Sequence, residues 1–245
     1  MRKPGRLATM IGALAVALAS LAFTAHAAEQ VDVELVFLAD ASLSIDDAEI
    51  TFQRQGYADA VRHPEVLSAI NRGALGKIAV TFIEWADYRS QDVIVPWMVI
   101  DGPKSAEVFA QTLLARERAT YGMNAIGAAL AEGKRQLVEN SYDGLRKIID
   151  FSADSANNWS GIPIAEGRAQ ALAAGIIING LAVLCREDDC SGRPVAYDLE
   201  EAFKNQIIGG PGSFVITADS AKRFAEAVRR KLILELAQTP DMPRG

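Results

Sequence analysis

The sequence predicts an α/β fold: a doubly wound, mostly parallel six-stranded sheet with one antiparallel edge strand and helices on both faces. Strand-like apolar runs alternate with segments of helical spacing along the chain. Most of these runs are apolar at nearly every position, which is typical of parallel strands buried on both sides. No internal repeat or low-complexity linker interrupts residues 28–238, so we expect one domain there, followed by a flexible tail at 239–245.

Six segments have the composition of strands. The first of them, "VELVFLA", is apolar except for Glu34. Pro96 lies inside the third and cannot donate a hydrogen bond to a neighbouring strand, so that strand is expected at an edge. The short connection between the second and third strands predicts an antiparallel hairpin. The predicted strands are 33–39, 77–86, 92–100, 145–153, 176–184 and 212–218.

Six further segments have the spacing of helices. Acidic residues fill the first turn of the first helix, where the helix dipole favours negative charge. The helix after the fourth strand begins with a proline and ends at a glycine, as many helices do. The predicted helices are 45–61, 105–117, 125–139, 163–175, 197–207 and 220–237.

The first 27 residues have the layout of a secretory signal peptide. Three basic residues precede the apolar run "LATMIGALAVALASLAF", and "AHA" at 25–27 forms a small-x-small cleavage signal. An uncleaved membrane anchor is the alternative, for which the apolar run is short. We expect an exported protein, located in the periplasm or released to the medium.

Cleavage would make the chain more acidic. Loss of Arg2, Lys3 and Arg6 lowers the net charge from −6 to −9. A surface of that charge repels nucleic acid and anionic lipid, so neither is expected as a partner.

Cysteine and histidine are scarce. Cys185 and Cys190 lie in "CREDDC", and a disulfide between them is expected in an oxidising compartment, with two reduced thiols as the alternative. His63 is the only histidine after residue 27. A two-histidine metal site is therefore excluded, and a serine–histidine triad would need His63, which we expect in a solvated turn at a helix end.

Oxygen-bearing side chains recur in three loops. Asp40, Ser42 and Ser44 follow the first strand in "DASLS", and alternate positions of an extended segment point the same way. The second loop lies in "TYGMNAIGAAL" (120–130), just before the third helix. The third loop is "SADSANNW" (152–159). Loops one and three leave the C-terminal ends of parallel strands, so the three loops converge if those strands are neighbours.

Carboxylate, hydroxyl and amide oxygens form a donor set that suits Mg²⁺, Mn²⁺ or Ca²⁺, with Mg²⁺ expected first. Simpler interpretations remain open. Asp40 or the serines could cap the first helix, and Asp154 could belong to an Asx-rich turn. Trp85 and Trp97 are expected in the core. Trp159 is expected to be at least partly buried, with an exposed binding anchor as the alternative.

The segment "DASLS" resembles the D-x-S-x-S signature of the von Willebrand factor type A (vWA) domain and its metal-ion-dependent adhesion site. "GAAL" at 127–130 resembles the helix start after the second loop of that family, and "ADSANN" resembles its third loop. The layout is most similar to an exported bacterial branch known only as a domain of unknown function. The resemblance implies the vWA fold and a divalent cation bound at the C-terminal strand ends.

The resemblance also implies individual roles. Asp40 would act mainly through water, Ser42 and Ser44 would bind the cation directly, and Asp154 matches the third-loop aspartate. Two positions depart from the family pattern. Asn124 stands where threonine is usual and offers a carbonyl oxygen; Thr120 lies four residues too early to replace it. Ser155 stands where glycine is usual.

These observations favour a non-catalytic, exported binding module. A partner protein's acidic side chain could complete the coordination of the cation. One alternative is a Mg²⁺-dependent phosphohydrolase on a doubly wound sheet, although Ser42 occupies the place where such enzymes commonly have a second aspartate. The other alternative is a vWA scaffold that has lost its metal, which Asn124 and Ser155 favour.

Overall fold

A computed structural model describes residues 27–184 and 195–237 of the 245-residue chain. Cys185, Cys190, the tail and all but the last residue of the predicted signal peptide lie outside the described residues. The disulfide and the signal peptide therefore stay predictions.

The described residues form a single six-stranded sheet in the order β3-β2-β1-β4-β5-β6. Only β3 is antiparallel to its neighbour, and it lies at an edge, as Pro96 predicted. The predicted α/β fold class is confirmed. The strands are β1 (Glu29–Asp40), β2 (Ile78–Trp85), β3 (Gln91–Ile100), β4 (Tyr142–Ala153), β5 (Ile177–Val183) and β6 (Val215–Ala218).

Helices cover both faces of the sheet. The chain between β1 and β2 forms two of them, and each later crossover contributes at least one. The helices within the described ranges are α1 (Asp47–Arg62), α2 (Pro64–Asn71), α3 (Pro103–Ala115), α4 (Ile126–Val138), α5 (Ile164–Ala173), α6 (Leu199–Gln206) and α7 (Ala221–Ala237). None of these helices combines the length and apolar character needed to cross a bilayer.

Helix α2 was missed by the sequence analysis. His63 ends α1 and also begins α2, where its ring accepts a hydrogen bond from the Glu65 main-chain N–H at 3.2 Å. Pro64 occupies the first position of α2, where a missing N–H costs nothing. The segment "RHPEV" therefore separates two helices instead of ending the only one.

Alternate residues of β1 divide the interior into two layers. Leu35 and Phe37 face α1, α2, α3 and α7, whereas Val36 and Leu38 face α4, α5 and α6. Strand β1 is central because β2 and β4 both pair with it in parallel. The strand order reverses between β1 and β4, and in open α/β sheets such a switch point is the usual place for a ligand.

A cluster of charged residues lies buried between α7 and the sheet. Lys231 is fully buried and forms ion pairs with Asp150 at 2.8 Å and Glu235 at 2.6 Å. Asn179 donates a hydrogen bond to Glu235 at 3.0 Å. Burial raises the pKa of Glu235 from 4.5 to about 7; the charge of Asp150 adds to the rise, and Lys231 opposes it.

We expect the raised pKa of Glu235 to make stability fall with rising pH. Between pH 4.5 and 7 the folded state holds a proton on Glu235 that the unfolded state has released. The free energy of unfolding therefore decreases through this window, by roughly 1–3 kcal/mol from this group. Glu235→Gln removes the contribution, so urea unfolding at pH 5 and pH 8 should give a smaller difference than in the wild type.

Glu226→Gln is the matched control, because Glu226 is exposed on the same helix. Its pH dependence should equal that of the wild type. An undiminished pH dependence in Glu235→Gln would contradict the expectation.

Candidate metal centre

Loop one begins directly at the end of β1. Asp40 is 1% exposed, and its Oδ1 accepts the main-chain N–H of Ser42 at 2.8 Å. Its other oxygen, Oδ2, is buried and has no hydrogen-bond partner among the described residues. The Oγ atoms of Ser42 and Ser44 lie 3.2 Å apart. The local fold thus brings together the three oxygen-bearing side chains that alternate in the sequence.

Asp40 does not cap the first helix. Asp46 does so, and its Oδ1 accepts the main-chain N–H of Glu49 at 2.9 Å. A helix-capping role therefore does not account for the buried side chain of Asp40.

Loop three meets loop one because β1 and β4 are parallel neighbours, with Ala39 opposite Ser152. Asp154, two residues beyond Ser152, is buried, and its Oδ1 has no hydrogen-bond partner among the described residues. Burial raises the pKa of Asp154, while a hydrogen bond with Ser44 opposes the rise. Two separate loops therefore each deliver a dehydrated carboxylate to one point.

The two carboxylates affect each other's ionisation. Burial raises the pKa of Asp40 well above its usual value, and the negative charge of Asp154 is the next largest cause. Glu49, which the sequence analysis did not single out, adds a smaller effect of the same sign. No basic side chain among residues 27–184 and 195–237 forms an ion pair with Asp40 or Asp154.

Loop two lies against loop three. The side-chain amide of Asn124 donates from Nδ2 to Ser155 Oγ at 3.2 Å, which leaves its carbonyl oxygen as the group able to coordinate a cation. The main-chain N–H of Trp159 donates to the main-chain carbonyl of Asn124 at 2.7 Å. The two departures from the family pattern thus contact each other. Thr120 is engaged elsewhere, because its hydroxyl donates to Asp92 at 2.8 Å.

Arg118 joins loops one and two, and no sequence motif marked it. Its guanidinium donates to the Ala41 carbonyl at 2.8 Å, to Asp47 at 2.9 Å and to the Thr120 carbonyl at 3.1 Å. The same group lies over the ring of Tyr121, 4.7 Å from its centroid. Arg118 therefore holds the backbone of both loops.

Asn158 joins loop three to the start of α4. Its Oδ1 accepts the main-chain N–H of Gly127 at 3.0 Å, because the N-cap residue of α4, Ala125, has no side-chain acceptor. Gly127 is required here, since a Cβ atom would lie 2.2 Å from the Ile162 carbonyl oxygen. The "GAAL" segment thus owes its glycine to close backbone contact.

The donor set fits a hard divalent cation. It consists of carboxylate, hydroxyl and amide oxygens, the ligands that Mg²⁺, Mn²⁺ and Ca²⁺ prefer. The described part of the chain contains no group of three or more His, Cys, Asp and Glu side chains arranged to hold a metal. A site with two carboxylates, two hydroxyls and an amide does not require such a group.

Comparison with known proteins identifies the family. The model of a protein family described as "Protein of unknown function (DUF1194)" matches residues 30–240. The chain belongs to the DUF1194 family. Among curated protein sequences, none matches this DUF1194 chain.

Solved structures show that the DUF1194 chain has the vWA fold. A vWA protein from Catenulispora acidiphila is 13% identical, with a TM-score of 0.55 over 83% of this chain and 42% of its own. The pilus adhesin SpaC from Lactobacillus rhamnosus GG is 14% identical, with a TM-score of 0.57 over 84% of this chain and 31% of its own.

A third structure is that of proximal thread matrix protein 1 from the mussel byssus, described with a zinc-occupied MIDAS motif, the metal-ion-dependent adhesion site. It is 17% identical, with a TM-score of 0.58 over 86% of this chain and 49% of its own. The DUF1194 chain thus spans 31–49% of these longer chains, and the likeness concerns the fold alone.

Other expectations had mixed outcomes. Trp85 is fully buried, as predicted, whereas Trp97 is only partly buried and packs against the core. Trp159 is 64% exposed, so the expectation of burial was wrong. The loop that carries Trp159 turns away from the core at the point where the Trp159 N–H donates to the main-chain carbonyl of Asn124. Helix α1 starts beside loop one and His63 lies at its other end. The 16 residues of the helix separate the two by about 24 Å. A triad of Ser42 or Ser44 with His63 is therefore excluded.

We expect Asp154→Asn to stabilise the DUF1194 chain when chelator is present. The substitution removes one of two mutually repelling buried charges and keeps a similar shape. The free energy of urea unfolding at pH 8 should rise by roughly 1 kcal/mol.

Asp59→Asn is the control, because Asp59 is an exposed acid in the last turn of α1, far from the loops. It should leave stability within about 0.5 kcal/mol of the wild type. A loss of stability in Asp154→Asn under chelator would show that the charge is favourable without any cation.

Proposed function

We propose that this DUF1194 protein is an exported, non-catalytic binding module that presents a divalent cation to a partner protein. The cation would be held at the C-terminal edge of the sheet by side chains of three loops. Mg²⁺ is the cation we expect first, with Mn²⁺ and Ca²⁺ as alternatives. The proposed ligands, direct or through water, are Asp40, Ser42, Ser44, Asn124 and Asp154.

One observation carries this proposal: two buried carboxylates from separate loops each have an oxygen with no hydrogen-bond partner in the part of the chain that the structure describes. A buried, unpaired charge is costly, so proteins pair such groups or place a metal ion between them. Oxygen ligands at a strand-order switch point give a divalent cation both the charge and the position it requires.

The same arrangement supports a role for a partner. The five proposed ligands, some of them acting through water, leave a position on the cation open to a further ligand. Small hard cations keep positions for water or for an incoming oxygen ligand. A carboxylate from a partner protein is the strongest oxygen donor that a protein surface can offer to that position.

No observation favours catalysis at this site. Within the described residues, Ser42 and Ser44 have no histidine within reach, because His63 lies at the far end of α1, about 24 Å along the helix. Ser42 also takes the place of the second aspartate that phosphohydrolases of similar layout use. We therefore assign the site to binding.

We expect isothermal titration of the wild-type chain to give saturable heat with Mg²⁺ or Mn²⁺. Asp40→Asn should reduce the affinity at least tenfold, because it removes the charge and keeps the acceptor for the Ser42 N–H. Asp59→Asn, which removes one exposed acid at the far end of α1, should bind as the wild type does. The same titrations with Ca²⁺ and Zn²⁺ bring the number of cations compared to four.

Equal heats for the wild type and Asp40→Asn would remove the metal site from these residues. Absence of heat with all four cations would favour the scaffold without metal, for which Asn124 and Ser155 are the evidence. Phosphoester hydrolysis that depends on Asp40 would replace the binding module by an enzyme.

A further inference from the structure

Large apolar side chains are concentrated on the loops that surround the candidate metal centre. Twelve such side chains are exposed in the described residues, and six of them lie at this end of the sheet. We call these six residues the apolar rim: Leu43, Tyr88, Tyr121, Met123, Trp159 and Tyr197. Leu43, between the two proposed serine ligands, is 71% exposed.

The loops that carry the apolar rim contact one another. The Leu43 N–H donates to the Gly122 carbonyl at 2.9 Å, which joins loops one and two. The β2–β3 hairpin meets the residue directly after loop three, since the N–H of Tyr88 donates to Ser160 Oγ at 3.4 Å. The hydroxyl of Tyr197 accepts the Ala156 N–H at 2.9 Å. The rim therefore forms a connected surface around the three loops.

Hydrogen bonds from main-chain N–H groups also fix the loops that carry the apolar rim. The main-chain N–H of Trp159 donates to the main-chain carbonyl of Asn124, and the N–H of Tyr121 donates to Ser90 Oγ at 2.9 Å. Trp159 is 64% exposed. Full burial of such a side chain could add about 2 kcal/mol or more to the free energy of unfolding. Exposed Trp, Tyr and Met side chains on a fixed backbone are typical of the centres of protein interfaces.

The chemistry of the rim indicates what it binds. Guanidinium groups lie over two of its rings, Arg89 over Tyr88 at 5.0 Å and Arg118 over Tyr121 at 4.7 Å. Positive groups beside aromatic faces, around a cation, favour an anionic group with apolar surroundings. Aliphatic Leu43 and Met123 offer no hydrogen bonds to a sugar, so a peptide segment fits the rim better than a carbohydrate does.

We propose that the apolar rim selects a partner segment in which one aspartate or glutamate is flanked by large apolar side chains. The carboxylate would bind the cation, and the flanking side chains would contact Leu43, Met123 and Trp159. This inference rests on the proposed function, because it assigns the partner of the same site.

The test is a selection of random 12-residue peptides displayed on phage against the wild-type chain in Mn²⁺. We expect enrichment of sequences that contain an acid with apolar neighbours, and loss of their binding with chelator. Leu43→Ser and Trp159→Ser should weaken the selected peptides at least tenfold while the titration heat of Mn²⁺ is unchanged. Leu75→Ser is the matched control, since Leu75 is exposed at the opposite end of the sheet and only its main chain binds Asp32.

The outcomes separate the two proposals. Absence of Mn²⁺ binding to the wild type overturns the proposed function. Normal Mn²⁺ binding overturns the rim proposal if no peptide is enriched, if the enriched peptides lack an acid or apolar neighbours, or if Leu43→Ser and Trp159→Ser bind them as Leu75→Ser does. Enrichment with the expected loss in both rim variants supports it.

Discussion

The repulsion between Asp40 and Asp154 is the constraint on which the site depends. Both side chains are almost fully removed from water, and the negative charge of one raises the pKa of the other. Desolvation and like charge both oppose ionisation, so the pair is unfavourable unless a positive group compensates for it. The neighbouring parallel strands β1 and β4 nevertheless hold the two carboxylates together, because their pairing leaves the two loops no other place to emerge.

A second pair of acids, between α7 and the sheet, shows how the chain neutralises such a cluster internally. Asp150 and Glu235 are also buried together, but Lys231 lies between them and pairs with both. No such cation reaches Asp40 and Asp154 within the described residues. One cluster is thus completed by a side chain of the protein, whereas the other has a geometry that an external cation would complete.

The residues around the site mainly fix the backbone of its loops, and only to a smaller extent the side chains of the proposed ligands. Arg118 binds main-chain carbonyls of loops one and two, and Asn158 binds the first turn of α4. Below the loops, Arg54 and Glu84 form a buried, two-point ion pair between α1 and β2. A site whose loops are fixed in this way pays little ordering entropy when it binds a ligand, and the apolar rim is held by the same contacts.

The sequence by itself determined the local features of this protein. The apolar runs predicted six strands, Pro96 predicted the edge strand, and the alternation in "DASLS" predicted that Asp40, Ser42 and Ser44 face one point. Each depends on the periodicity or chemistry of a few adjacent residues. The resemblance to vWA domains added Asn124 and Asp154 by their positions in the motif, with no contact between the loops yet visible.

Only the tertiary structure decided which distant residues meet. It placed β4 beside β1, gave the cap of α1 to Asp46, turned Trp159 outward and assigned loop-joining roles to Arg118 and Asn158. These outcomes depend on contacts between segments far apart in the chain, such as Ala39 and Ser152. Local patterns specify which side of an element is buried, but the partner of a polar side chain is chosen by how whole elements pack, and that choice leaves no local signal.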